Sequence, residues 1–272
     1  MSCILIVVAM DKEFAAFKEQ LTNLDISSIK GKLVYTGTIN NHQIVLAKSG
    51  IGKVSAASML SVLIEKFHPS LIINMGIAGG YKKTLHTLDT VLATSCIYSD
   101  VDMTTDAMTD LDYGQLEGYP KYFEIDEELL KVIKSLNIDD LQYGMICTGD
   151  QFVTNYEKCQ NIVDTYFSSY DVLAFDMESA AYFQVCYDYN IPCLIIRTIS
   201  DLIGSTDPLD YEKFSTIASN KSGEICHQIL LNIKEWHFLN KSVTLFLKRK
   251  EKKVIKWLKL KIFQSTIIPK TM

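Results

Sequence analysis

The sequence predicts an α/β protein, a three-layer sandwich around a central mixed β-sheet. Two observations carry this expectation. Short apolar, β-rich runs alternate with amphipathic stretches, and glycine-rich breaks follow several of those runs. With 272 residues, 48% of them hydrophobic, the chain can bury one generous core, and disorder is excluded for most of it.

The elements follow in order. Cys3 to Ala9 reads as a first strand, and Lys12 to Leu21 as a short helix with Phe14, Phe17 and Leu21 on one side. Lys32 to Ile39 and Gln43 to Lys48, separated by Asn40-Asn41-His42, read as a β-hairpin. SGIGK (Ser49 to Lys53) breaks the chain before a helix that ends near Phe67. Leu71 to Met75 is a buried strand running into the glycine turn GIAGG, and Thr90 to Ile97 is another strand. A polar, Asp- and Tyr-rich loop spans Tyr98 to Tyr122, a length that usually marks a functional segment or an interface. Asp126 to Leu136 reads as a helix, Tyr143 to Thr148 as a strand, and Gly149 to Asn155 as a turn region. Next comes DMESAAYFQVCYDYNIPCLIIRTISD, Asp176 to Asp201: a helix, a stop at Pro192 and a buried strand from Cys193 to Ile199. Tyr211 to Ile233 closes the domain as a helix.

Cysteine and charge bound the context. The seven cysteines are scattered without a CxxC spacing, so neither a zinc site nor a disulfide framework is indicated, and a reducing cytoplasm is the natural compartment. SCILIVVAM is too short and too bare of basic residues to be a membrane span or a signal peptide. From Lys241 onward the chain carries ten Lys/Arg and one Glu, so the tail has a charge of +9 and the body −14 within a net −5. This asymmetry divides the chain into a domain over 1–235 and a basic extension over 236–272. The extension has the composition of a basic amphipathic helix for an anionic membrane surface, but its apolar residues form no single stripe. An added helix on the acidic body, or a loose end, is the preferred reading. No nucleic-acid partner is expected.

Several predicted strand ends carry groups suited to chemistry: Met10 and Glu13, GIAGG, GDQF, and Ser200-Asp201. Open α/β sheets place ligands at such ends. Glu178 falls in the first turn of its helix, where the dipole favours an anion. Glycines for close approach, apolar and aromatic walls and three carboxylates suit a small polar heterocycle joined to a sugar. No GxGxxG follows the first strand and no GxxxxGK[ST] is present, so a dinucleotide fold or a P-loop is not supported.

The motifs AMDKE, YTG, KSGIGK, INMGIAGG, YSDVDMT, YGQLEG, TGDQFV, DMESAA and RTISD occur in that order between Ala9 and Asp201. In this set the chain resembles the 5′-methylthioadenosine/S-adenosylhomocysteine nucleosidases of the nucleoside phosphorylase superfamily. The resemblance implies hydrolysis of the N-glycosidic bond through an oxocarbenium-like transition state, with adenine as leaving group and 5′-deoxyadenosine as a further candidate substrate. It assigns Asp201 as the acid that protonates adenine N7, Glu13 as the carboxylate that activates water, and Glu178 as the grip on the ribose hydroxyls. Phe152 is implied as the ring stacked on adenine and Val153 as the backbone at the base edge, while Ser200 orients the acid. Met10, Ile51, Gly79 and Met177 match further pocket positions, and Tyr211 an aromatic over the 5′ substituent. Arg197 matches an arginine near the water, with a structural ion pair as the other reading, since an unpaired guanidinium on an apolar strand would be costly. Ile77 departs from the hydroxyl residue found in some members, and the loop at Thr105–Asp112 is longer than usual.

A purine nucleoside phosphorylase is the nearest rival. Phosphate sites are usually built from arginine forks, and this chain has no arginine before Arg197, so water is the expected nucleophile. A nucleoside-binding relative without activity should have lost one of the three acids, and none is lost. The resemblance further implies a homodimer with the Tyr98–Tyr122 loop near its interface, and neither a metal nor an organic cofactor.

Overall fold

The computed structural model describes residues 3–104, 110–205 and 209–233. The extension expected over 236–272, and 105–109 of the long loop, lie outside the described residues. The chain runs β1 (Cys3–Val8), α1 (Asp11–Lys18), β2 (Thr22–Ile29), β3 (Lys32–Ile39), β4 (His42–Lys48), α2 (Lys53–Phe67) and β5 (Leu71–Gly80). It continues through β6 (Thr90–Tyr98), β7 (Phe123–Glu124), α3 (Glu127–Ser135), β8 (Leu141–Thr148), α4 (Tyr156–Ile162), β9 (Val172–Asp176), α5 (Ser179–Tyr189), β10 (Cys193–Leu202) and α6 (Leu209–Asn232). A π-helical turn, Val163–Phe167, extends α4.

Local chemistry sets many of these boundaries. Asp126 accepts the amides of Glu128 and Leu129 at 3.0 Å and starts α3, and Asn155 accepts Lys158 N–H at 2.9 Å to start α4. Helix α2 ends where His68 turns left-handed (φ 47°), and α5 where Asn190 does (φ 56°).

The sheet is mixed. Strands β1, β4 and β5 are parallel, and β2 and β3 continue antiparallel from β4 to a free edge at β2. On its other side β5 pairs parallel with β10, and β6, β8 and β9 lead back to β5, so five strands close into a ring. Helices α1 and α6 pack together, α6 against β5 and β10; α2 and α5 form the other layer, against β1, β6 and β8. This is the expected sandwich, with part of its middle layer rolled shut.

Two expectations are corrected here. GIAGG is not a turn: Gly76 to Gly80 continue β5 opposite Arg197 to Leu202 of β10. The bare glycines let the strands approach, since a Cβ on Gly80 would lie 2.9 Å from both Ile199 and Leu202 side chains. The strand expected to stop at Ile199 runs on to Leu202, past a bulge between Ile199 and Asp201. A bulge re-aims the side chains beyond it, and it is Ser200 and Asp201 that are redirected. The sequence reading also passed over β2, α4 and β9.

The fold leaves one gap, and the site occupies it. Strand β1 accompanies β5 only as far as Asn74, and β9 joins the same edge only at Gly79. Between them, the chain leaving β1 enters α1, and the chain leaving β9 enters α5.

Candidate active site

Glu13 closes the gap in hydrogen bonding. It lies one turn into α1, 2% exposed, and its Oε2 accepts Ala9 and Met10 N–H, each at 2.9 Å. Its Oε1 accepts Ile77 N–H at 3.1 Å, on the edge of β5 that neither β1 nor β9 covers at this residue. Burial raises the pKa of this carboxyl, although the Arg197 charge and the three amides oppose the rise. Gly76 is required beneath it, because an added Cβ would fall on the Glu13 carboxylate. Gly76→Ala is therefore expected to cost about 1–3 kcal/mol by overpacking and to displace Glu13. A melting curve and a glycosidic-cleavage assay on that variant check both effects.

Asp176, at the end of β9, accepts Thr148 Oγ1 at 2.6 Å, Ser179 N–H at 3.1 Å, the Ser179 hydroxyl, and Arg197 Nε at 2.9 Å. It thereby binds the first amide of α5. Glu178 instead takes an irregular backbone conformation just before the helix (φ −136°, ψ −29°). Its Oε1 accepts Gly52 N–H at 2.8 Å from the SGIGK segment. Burial, and then repulsion from Asp176, push the Glu178 pKa up to about 8.

Arg197 is fully enclosed behind this pair. Its Nε and Nη2 hold Asp176, Nη2 reaches Asn74 Oδ1 at 2.5 Å, and Nη1 donates to the Ile196 carbonyl at 3.1 Å. Turned toward these partners and absent from the cavity lining, it has the geometry of the structural ion pair. Burial works against its charge, but Asp176, then Glu178 and Glu13, outweigh it and raise the Arg197 pKa.

Asp201 faces Gly79 across the β10–β5 pairing, and a Cβ on Gly79 would lie 3.7 Å from Asp201 Oδ2. Ser200 Oγ donates to Asp201 Oδ1 at 2.6 Å and so orients the carboxyl. Opposite, Phe152 and Tyr211 meet edge to face, ring centres 5.1 Å apart, and Tyr211 OH lies 3.8 Å from Met10 Sδ.

The carboxylates and rings line one open cleft, with about 610 Å³ of free space counted out into solvent. Met10, Glu13, Ile51, Ile77, Gly79, Phe152, Val153, Met177, Glu178, Ser200, Asp201 and Tyr211 all line it, and Arg197 does not. The sequence reading missed Asp176 in the lining, together with Ala9, Ala78, Gln151, Phe175 and Ile203. It also missed Gly52 as a hydrogen-bond donor and Gly76 as the floor under Glu13. Asp176 had a signal: it stands in DMESAA two residues before Glu178.

Among the described residues, four carboxylates and no Lys or Arg line the cleft. The lysine of SGIGK is occupied elsewhere: Lys53 Nζ lies 2.7 Å from Asp100 Oδ1 and 3.7 Å from Asp150 Oδ2. Such a site attracts hydroxyls, amines and developing positive charge and repels anions. No group of metal-binding residues occurs among the described residues.

Comparison with known proteins agrees with this geometry. The family model of the phosphorylase superfamily matches residues 3–231. The 5′-methylthioadenosine/S-adenosylhomocysteine nucleosidase of Anoxybacillus flavithermus is 36% identical over 233 residues, covering 84% of this chain and 97% of its own. The nucleosidase of S. pneumoniae bearing the transition-state inhibitor MT-ImmA superposes with a TM-score of 0.79 at 32% identity, over 85% of this chain and 99% of that one. The S-adenosylhomocysteine nucleosidase of Streptococcus pyogenes with 5-methylthiotubericidin gives 0.79 at 32% identity, over 86% and 98%. From Cys3 to the end of α6, this chain belongs to the 5′-methylthioadenosine/S-adenosylhomocysteine nucleosidase family of the phosphorylase superfamily.

Proposed function

We propose that the protein hydrolyses 5′-methylthioadenosine and S-adenosylhomocysteine to adenine and the corresponding thioribose. The observation that carries this reading is a cleft lined by Glu13, Asp176, Glu178 and Asp201 with no cation among its lining residues. A phosphate dianion has nothing to bind there, whereas water and an oxocarbenium ion do.

Adenine lies at the end formed by Gly79, Phe152, Val153 and Asp201. The C1′–N9 bond breaks with its electron pair moving into the base, and Asp201 supplies a proton to N7. Charge grows on the ribose ring between Glu178 and Glu13. Glu178 accepts the ribose hydroxyl hydrogens. Glu13 takes a proton from the water whose oxygen joins C1′. Arg197 acts through Asp176 and holds α5 and Glu178 in place.

The exposed apolar side chains beside the cleft, Ile51 (54% exposed), Val54 (78%) and Phe152 (59%), support a homodimer in which a second copy covers this mouth. Seven buried free thiols support a reducing, cytoplasmic setting. No helix among the described residues is long and apolar enough to cross a membrane.

The test is adenine release from 5′-methylthioadenosine by purified protein, without and with added phosphate, for the native chain and Asp201→Asn. The reading expects release independent of phosphate and lowered about 10²–10⁴-fold by the substitution. Release only with phosphate would refute it.

Proton linkage gives a second check. Ribose hydroxyls favour ionised Glu178, whereas burial keeps it protonated up to about pH 8 in the free protein. Nucleoside binding near pH 7 is therefore expected to release protons, and affinity to strengthen as pH rises toward 8. Calorimetry in buffers of different ionisation enthalpy measures this release. Without ligand the sign reverses: the folded chain holds protons that the unfolded chain has lost above the ordinary carboxylate range, so this group's contribution to stability declines as pH rises toward 8.

A further inference from the structure

Lys12 lies beside the cleft without lining it. It is half-buried on α1, between Asp11 and Glu13, and its Nζ donates to Ser215 Oγ at 2.7 Å. The same ammonium stands 4.9 Å from the centre of the Tyr211 ring. Tyr211 lines the cleft, and Lys12 makes no ion pair among the described residues, whereas Lys53, Lys82 and Lys121 each reach a carboxylate. A half-buried ammonium beside a binding cleft, held by a neutral hydroxyl and a ring face, remains available to an anion.

Position decides which part of a substrate that anion belongs to. Asp201 lies against Gly79 on β5, whereas Glu13 lies over Gly76 and bonds Ile77 N–H, and Glu178 bonds Gly52 N–H. Met10 and Tyr211, which touch, form a wall of the cleft, and the Lys12 ammonium lies over the ring of that wall's tyrosine. A nucleoside with its base at Asp201 and its sugar between the two glutamates sends its 5′ substituent toward that wall. A methylthio group ends there. A longer thioether bearing an amino-acid carboxylate continues past it.

We propose that Lys12 is a specificity-determining residue that binds the carboxylate of an amino-acid 5′ substituent, and so favours S-adenosylhomocysteine over 5′-methylthioadenosine. The inference rests on the nucleosidase reading. Lys12 takes no part in bond cleavage. Its ammonium leaves Ser215 to meet the carboxylate at the rim, where charge contacts set discrimination more than rate.

The experiment compares kcat/KM for three substrates: 5′-methylthioadenosine, S-adenosylhomocysteine, and 5′-deoxy-5′-(3-aminopropylthio)adenosine, which keeps the amine and lacks the carboxylate. The proteins are the native chain and the variants Lys12→Met, Lys12→Glu and Lys12→Arg, each with a melting curve. Lys12→Met is expected to lower the S-adenosylhomocysteine to methylthioadenosine ratio about fivefold, the upper range for a partly exposed ion pair, and Lys12→Glu to lower it further. Lys12→Arg is expected to keep most of the ratio. The aminopropyl compound should gain relative to methylthioadenosine in Lys12→Met, because its ammonium no longer faces a like charge. Raising ionic strength should erode the native ratio, which reads the contact without any substitution. An unchanged ratio, or an equal fall for all three substrates, overturns the proposal and leaves Lys12 as a support for Tyr211. Native protein that cleaves none of the three overturns the nucleosidase reading and this proposal together. Cleavage of methylthioadenosine with an unmoved ratio overturns this proposal alone.

Discussion

Glu13→Gln is expected to lower kcat for adenine release by about three orders of magnitude while leaving a folded protein. General-base assistance is worth about 10²–10⁴-fold, and here the carboxylate also braces the pocket. Both Glu13 oxygens accept backbone amides, from Ala9 and Met10 on one side and Ile77 on the other. A glutamine amide offers one acceptor and one donor group, so its NH2 must point at an N–H on one side. The shape survives, but at least one buried amide loses its partner, at about 1–3 kcal/mol. Part of that loss is offset, because burial already raises the Glu13 pKa and disfavours its charged form. A modest drop in melting temperature with a large drop in kcat is the expected pattern. Glu13→Ala should do worse, since three amides then lose their acceptor.

Arg197→Met carries the largest expected effect on stability. The guanidinium is 2% exposed, and its Nε and Nη2 both lie 2.9 Å from Asp176 Oδ2. Removing one partner of a buried ion pair leaves an uncompensated charge and costs about 3–5 kcal/mol, a large share of the roughly 5–15 kcal/mol that holds a domain together. Asn74 Oδ1 and the Ile196 carbonyl would also lose their donor. The Arg197 charge lowers the pKa of both Glu13 and Glu178, so without it both carboxyls shift further up. The variant's pH–activity profile is expected to move to higher pH, with a Tm lowered by several degrees or more. The double variant Arg197→Met/Asp176→Leu, which removes both charges, should recover part of the stability and none of the activity. Denaturant unfolding of the three proteins measures the difference.

The parts of this fold that were legible in the sequence share a physical reason. β1, β5, β6, β8 and β10 are apolar runs buried on both faces, and such runs end visibly at glycine or at acids. β2 was invisible because it is a free edge: Thr22 to Asp25 are exposed, and the strand alternates nothing that reads as a core. β9 is five residues long, too short for a periodicity to register. GIAGG read as a turn because glycine usually marks one, yet here ring closure needs its missing side chains.

The acids were legible one at a time, as residues at strand and helix ends. Their partners were not. Asp176 and Arg197, 21 residues apart on successive strands, meet only because β9 and β10 both pair with β5. Glu178 meets Gly52 across 126 residues of sequence. No local pattern encodes those distances, although a lone arginine on an apolar strand does announce that a buried carboxylate must exist somewhere.

The most direct test of the central claim is to run the cleavage of 5′-methylthioadenosine in ¹⁸O-labelled water containing phosphate, and to weigh the sugar product by mass spectrometry. A cleft that offers four carboxylates and no cation among the described residues predicts methylthioribose with one ¹⁸O at C1 and no sugar phosphate. Unlabelled methylthioribose 1-phosphate would mean that phosphate is the nucleophile, and the account of this site would be wrong.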